Sequence, residues 1–190
     1  MSPDELIALR REKDQFFKAS PQSPLSDDQQ DGFTGLSYYE PNPALDLTVE
    51  VERMPAGNNE IVIETTTGDT RRYRRFGRFQ FTVEAQTLEL TLYEAPHGYF
   101  LPFVDANAGN ETYSAGRYLE PDDLEDGRFH VDFNLAYNPY CAYSEPQSLS
   151  SRSGHAPTQW SCPITPAENR LNVAIRAGEK NPTGDWVAHE

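Results

Sequence analysis

Leu45-Asp46-Leu47-Thr48-Val49-Glu50-Val51-Glu52 alternates apolar and polar residues without a break. A period of two puts every apolar side chain on one face and every polar one on the other. That is the signature of a strand with one dry and one wet face. The same period returns downstream. Ile61-Val62-Ile63 follows a turn at Ala56-Gly57-Asn58-Asn59, and Gly68-Asp69 then leads into Thr70 as a hairpin turn. Phe79, Phe81 and Val83 alternate, as do Leu88, Leu90 and Leu92, and Pro96-His97-Gly98 turns the chain into Tyr99–Val104. Consecutive strands with short connections make an antiparallel meander, predicted to curl into a barrel or a sandwich. Further strands are predicted at Tyr113–Leu119, Arg128–Phe133 and Leu171–Arg176, the first two separated by a turn at Asp126-Gly127.

Upstream of the meander the pattern is helical over residues 2–18. Ser2 can cap this helix, Pro3 suits its first position, and Asp4 and Glu5 suit its positive end. Leu6, Ile7, Leu9, Phe16 and Phe17 form its apolar stripe, and Pro21 and Pro24 forbid continuation into an Asp- and Gln-rich loop. Downstream, residues 136–170 have no clean period and carry five prolines (Pro139, Pro146, Pro157, Pro163, Pro166). A structureless stretch this long in a compact domain points to function or to an insertion. Its Ser-rich part, Gln147–Thr158, reads as a surface insertion. The expected organisation is a single domain over residues 1–190, mainly β, with a β core over 44–134 and 171–177, an N-terminal helix and a long irregular C-terminal loop.

The chain has 190 residues and a formal net charge of −14. Lys13, Lys18 and Lys180 are its only lysines, so nearly all its positive charge is on arginine. An acidic, lysine-poor surface suits a salt-loaded cytoplasm, where screening relieves self-repulsion. The same charge argues against nucleic acid and anionic membrane as partners. The N-terminus lacks the apolar segment of a signal peptide, and no apolar run approaches the roughly 20 residues of a membrane span. A cytoplasmic protein is expected. Nothing in the composition sets the oligomeric state.

The run Arg71, Arg72, Arg74, Arg75 and Arg78 is interleaved with aromatics, a pattern that can hold single-stranded nucleic acid. In so acidic a chain these arginines are expected to pair with Asp and Glu of neighbouring strands. Asp105-Ala-Asn107-Ala-Gly109-Asn110-Glu111 begins like a calcium loop, but glycine stands where a third ligand belongs and Gly116 occupies the twelfth position; it reads as a turn-rich loop. Cys141 and Cys162 allow buried thiols, a disulfide or a thiol nucleophile with His97, His130 or His155 as base, ranked in that order because a cytoplasmic setting disfavours the disulfide. No metal site and no cofactor are expected. No nucleophile elbow, phosphate loop or dinucleotide fingerprint is present.

The densest polar set runs through Asp132, Asn134, Tyr137 and Asn138, where a strand enters the long loop. Arg117 should lie on a neighbouring strand, and Arg170 just before the last one. Together these six residues are the predicted ligand-binding set, with an arginine clamping an anionic or carbonyl group of a small molecule. One alternative is a hydrolase with Asp132 or Glu111 as general base. Others are a protein-interaction module, and a buried network that only anchors the loop.

Glu111-Thr-Tyr113-Ser-Ala-Gly116-Arg117-Tyr118-Leu119, Asp132-Phe-Asn134 through Ala136-Tyr137-Asn138-Pro139 to Cys141-Ala-Tyr143, and Cys162-Pro163 through Glu168-Asn169-Arg170-Leu171 to Ala177-Gly178-Glu179-Lys180 together resemble the prokaryotic domain-of-unknown-function family numbered 1684. Phe17-Lys-Ala-Ser-Pro21-Gln-Ser-Pro24-Leu and Phe33-Thr-Gly-Leu-Ser-Tyr-Tyr39 fit it as well. The resemblance implies that the polar set belongs to the family's shared part and that the stretch between the cysteines is longer here. It implies no activity.

Overall fold

The computed structural model describes residues 1–143 and 160–187. Helix α1 spans Pro3–Ala19 and opens with a capping box, in which Ser2 Oγ accepts from the Glu5 amide and Glu5 accepts from the Ser2 amide. Its apolar stripe is narrower than predicted. Leu6 and Phe17 are buried, whereas Ile7 and Leu9 are 39% and 44% exposed. The loop after it holds an unpredicted short helix, α2 (Asp27–Gly32), with its own capping box between Ser26 and Gln29.

The strands form two antiparallel sheets. In the smaller, β1 (Asp46–Glu50) pairs with β9 (Arg128–Asp132), and β9 pairs with β8 (Asp122–Asp123). The larger runs in the order β2 (Glu52–Arg53), β4 (Thr70–Val83), β5 (Gln86–Ala95), β6 (Gly98–Phe103), β7 (Arg117–Leu119), with β3 (Glu60–Glu64) also on β4. The sheets stack in a sandwich-like arrangement and do not close into a barrel. Their inner faces share one core that includes Val49, Phe79, Leu90, Phe103, Phe129 and Val131. β4 and β5 join through Glu84 and Ala85, both left-handed at φ 49° and 63°. That is the two-residue hairpin geometry usually given to Asn-Gly, which is why the turn carries no sequence signal. A second apolar cluster of Phe17, Leu25, Phe33, Tyr143 and Trp186 seats the helices on the C-terminal segments.

Three predicted strands change. Tyr113–Leu119 shortens to β7. Arg128–Phe133 ends at Asp132, whose carboxylate caps a 3-10 turn at Phe133–Leu135. Leu171–Arg176 is not a strand, although Val173, Ile175 and Ala177 are buried as their alternation requires. The segment runs beside residues 104–106, but side chains take up its backbone groups. Asp105 Oδ2 accepts from the Ile175 amide at 2.7 Å, and Arg117 donates to the carbonyls of Ile175, Ala177 and Glu179.

The preferred reading of the cysteines is overturned. Cys141 and Cys162 form a disulfide, with Cα atoms 6.4 Å apart, well inside the range such a bond can span. No thiol is left for catalysis. The strand edge brings them together: Ile164 N donates to Glu64 O and Thr66 N to Cys162 O, which seats the 162–164 segment on the end of β3. The predicted insertion Gln147–Thr158, with His155, lies outside the described residues.

Four of the five arginines of β4 pair with acids as expected, whereas Arg71 donates to Ser161 O. Arg74 engages Glu94, Arg75 engages Glu168 across 2.7 Å, and Arg72 and Arg78 lie 3.7 Å from Glu60 and Glu89. The calcium-like loop is structural, because Asp105 accepts from Thr112 and Arg117. Among the described residues, no helix is long and apolar enough to cross a membrane.

Candidate functional site

The site grows from Gly178. Its φ is 77°, and a Cβ there would stand 2.6 Å from Ala136 O and 2.8 Å from Phe133 O. Only glycine lets the chain pass this close beneath the 133–135 turn. The next residue, Glu179, is thereby aimed inward. Its amide donates to Ala136 O, and residues 178–180 run antiparallel to 37–39, with Tyr39 N bonded to Gly178 O and Lys180 N to Ser37 O. Glu179 is 1% exposed. Its carboxylate pairs through Oε1 with Lys13 of α1, and through Oε2 it accepts from the Asn138 amide (2.8 Å) and the Tyr143 hydroxyl (2.7 Å). One buried acid thus ties α1, the 136–143 segment and the C-terminal segment together.

Around this anchor lie polar atoms that are buried and have no partner among the described residues: Arg10 Nε and Nη2, Tyr38 hydroxyl and Asn138 Oδ1. The Arg10 guanidinium sits 4.4 Å over the Tyr38 ring, and its Nη1 donates to Tyr39 O. Burial lowers the Arg10 pKa, against the pull of Tyr38, Glu40, Glu179 and Asp132. Burial, then the Glu179 and Asp14 charges, push the Tyr38 hydroxyl well above the ordinary tyrosine value. Tyr143 is raised by the same burial and by Glu179. All three groups hold their protons across the physiological range, so the seam presents donors.

The six predicted residues do not form one pocket. Arg117 is 1% exposed and spends both terminal nitrogens on Asp105 and three carbonyls, while its buried Nε has no partner among the described residues. It grips the segment that positions Glu179 and offers no face to a ligand. Asp132 Oδ1 accepts from Asn134 N and Nδ2, and the Asn134 amide brackets the backbone of Asn42. Tyr137 donates to Glu120 and lies 5.2 Å from Lys13 Nζ. Asn138 is the one predicted residue within the seam, and Nδ2 also donates to Lys180 O. Arg170 is exposed and joins none of them. The sequence reading missed Arg10, Lys13, Tyr38, Tyr143 and Glu179. Tyr38, Tyr143 and Glu179 stood inside the quoted family motifs, and that was their only signal. Arg10 and Lys13, on α1, come close to them only through folding.

An uncharacterised protein of Haloarcula marismortui, solved by NMR in solution, is similar to this chain: 35% identical over 93% of this chain and 92% of its own, with a TM-score of 0.62. No curated protein matches the chain. The model of the family described as protein of unknown function (DUF1684) matches residues 31–180, which hold both sheets, the disulfide and Glu179. The chain therefore belongs to the DUF1684 family.

Proposed function

We propose that the protein is a small-molecule-binding domain whose ligand presents a carboxylate to Arg10 at the seam between α1 and the β core. The carrying observation is the bare Nε–Nη2 edge of Arg10. That edge is the fork that matches two carboxylate oxygens. In this molecule Arg74, Arg75 and Arg128 spend the same edge on Glu94, Glu168 and Asp126. Among the described residues the buried Arg10 edge has no partner, which costs free energy unless something accepts from it. The Tyr38 hydroxyl supplies a further donor, and Asn138 Oδ1 an acceptor for a hydroxyl or amine of the ligand.

The hydrolase reading has less support. Asp132 Oδ1 is occupied by two donations from Asn134, and Glu111 accepts from the Tyr39 hydroxyl.

The test is thermal unfolding against acetate, succinate, benzoate and citrate, with calorimetry on any that shift the transition. A carboxylate at one hundred times its Kd should add about 2.7 kcal/mol to stability. The shift should vanish in Arg10→Gln and shrink in Tyr38→Phe. The proposal fails if none of the four shifts the wild type, or if the shift survives in Arg10→Gln.

A further inference from the structure

We propose that Asp46, His130 and Asp132 form a site for a divalent transition-metal ion, of the Zn2+ or Co2+ kind. The ligand atoms of these three side chains lie within 4.8 Å of one another. Their convergence follows from register. Asp46 and Asp132 are direct partners across β1 and β9, and His130 precedes Asp132 by two residues, so all three project from one face. Ligands about 2 Å from an ion sit roughly 3–4 Å from each other, so this spacing needs little adjustment.

Two features distinguish the cluster from a chance gathering of acids. Asp132 is 5% exposed, and its Oδ1 is held by Asn134 N at 2.9 Å and Nδ2 at 2.7 Å. Its Oδ2 accepts nothing from the described residues. An oriented carboxylate with one free oxygen is what a ligating Asp looks like. His130 is arranged in the same way: Nε2 is 2.6 Å from Asp46 Oδ1, while Nδ1 faces Asp122 Oδ2 at 3.8 Å. The Nε2 contact places a proton between His130 and Asp46, and a metal ion would take that proton's place between the same two ligand atoms. An imidazole with two carboxylates suits Zn2+ and its neighbours better than Mg2+ or Ca2+, which prefer oxygen alone.

Of the three, His130 also lines a groove of about 520 Å³ with Met1, Glu5, Ala8, Leu9 and Glu12. Glu5 and Glu12 add to the field that draws a cation in. One competing cation is the Met1 ammonium, 3.5 Å from Asp46 Oδ2, with both groups about 29% exposed. An exposed pair of that kind is weak and yields to a divalent ion.

The test is Co2+ titration of chelator-treated full-length protein, followed by visible absorption, then displacement by Zn2+ read by calorimetry. The expected result is one equivalent of Co2+ displaced by Zn2+, with the His130 ring nitrogens shifting in 15N NMR. Asp46→Asn and His130→Gln should each lose more than about 100-fold in affinity. Both principal substitutions lie on the partly exposed face, and circular dichroism checks that they fold. Absence of binding in the wild type overturns the proposal. So does Zn2+ affinity unchanged in His130→Gln, which would place the ion on another histidine. Arg10 and Asp132 feel each other's charge, so Arg10→Gln should keep or tighten Zn2+ binding while abolishing the carboxylate shift, and the two proposals stand or fall separately.

Discussion

Asp105 and Arg117 meet 3.3 Å apart in the core, each side chain 1% exposed, and both grip the same stretch of backbone. Asp105 takes the Ile175 amide while Arg117 takes the carbonyls of Ile175, Ala177 and Glu179. The pair replaces the ladder that a strand at 171–176 would have supplied. Burial lowers the Arg117 pKa despite Asp105, Tyr39 and Glu179. Removing one member of such a pair leaves an uncompensated buried charge. Arg117→Met should cost about 3–5 kcal/mol. The double variant Asp105→Asn/Arg117→Met should cost clearly less than the sum of the two singles. Urea unfolding of the four proteins measures the coupling, and additivity within about 0.5 kcal/mol would contradict it.

Asn169 completes the pairing of β5 with β6. The register that pairs Tyr93 with Phe100 sets Thr91 opposite Pro102, which has no N–H to give. The Asn169 amide fills the gap. It donates to Thr91 O and Pro102 O and accepts from Thr91 N, each at 2.8 Å, while being 0% exposed. Asn169→Leu should cost at least about 3 kcal/mol, since three buried backbone groups lose their partner. Hydrogen exchange at the Thr91 amide should speed up more than at its neighbours, and uniform protection would refute the assignment.

Reducing the disulfide should destabilise the protein by about 3 kcal/mol, the loop-closure value for a sequence separation of 21. The comparison is urea unfolding with and without a phosphine reductant, and with Cys141→Ser/Cys162→Ser. The double variant should match the reduced protein and ignore the reductant. A thiol titration of the unreduced denatured protein should find none.

Glu168 should govern part of the acid limb of stability. Burial opposes its ionisation, but hydrogen bonds from Arg75 and Tyr93 outweigh that, and its pKa falls below the ordinary 4.5. A carboxyl that binds its proton less tightly when folded stabilises fully above the unfolded value. That contribution is lost as pH falls through the folded value. Glu168→Gln should therefore unfold at lower urea than wild type at pH 7, and the two midpoints should converge as pH falls below the ordinary 4.5. A gap that is constant with pH would assign the effect to packing.

The strand period at 45–52 and 79–92, the helix cap at Ser2, the acid pairing of the β4 arginines and the family motifs were legible in the sequence. Each rests on neighbours in the chain or on one face of a strand, where composition and spacing act directly. The hub at Glu179 was not, although its motif was in plain view. Its partners Lys13, Asn138 and Tyr143 come from segments over a hundred residues apart or from irregular loops, where no period links them. The same holds for the cysteines, which compartment reasoning separated and the edge of β3 joins. It holds again for Arg117, whose charge suggested a ligand clamp. Spacing along the chain cannot say which way an arginine faces. The tertiary structure turns this one inward, because the carbonyls of Ile175, Ala177 and Glu179 face away from the 37–39 segment that takes Gly178 and need a donor from the core.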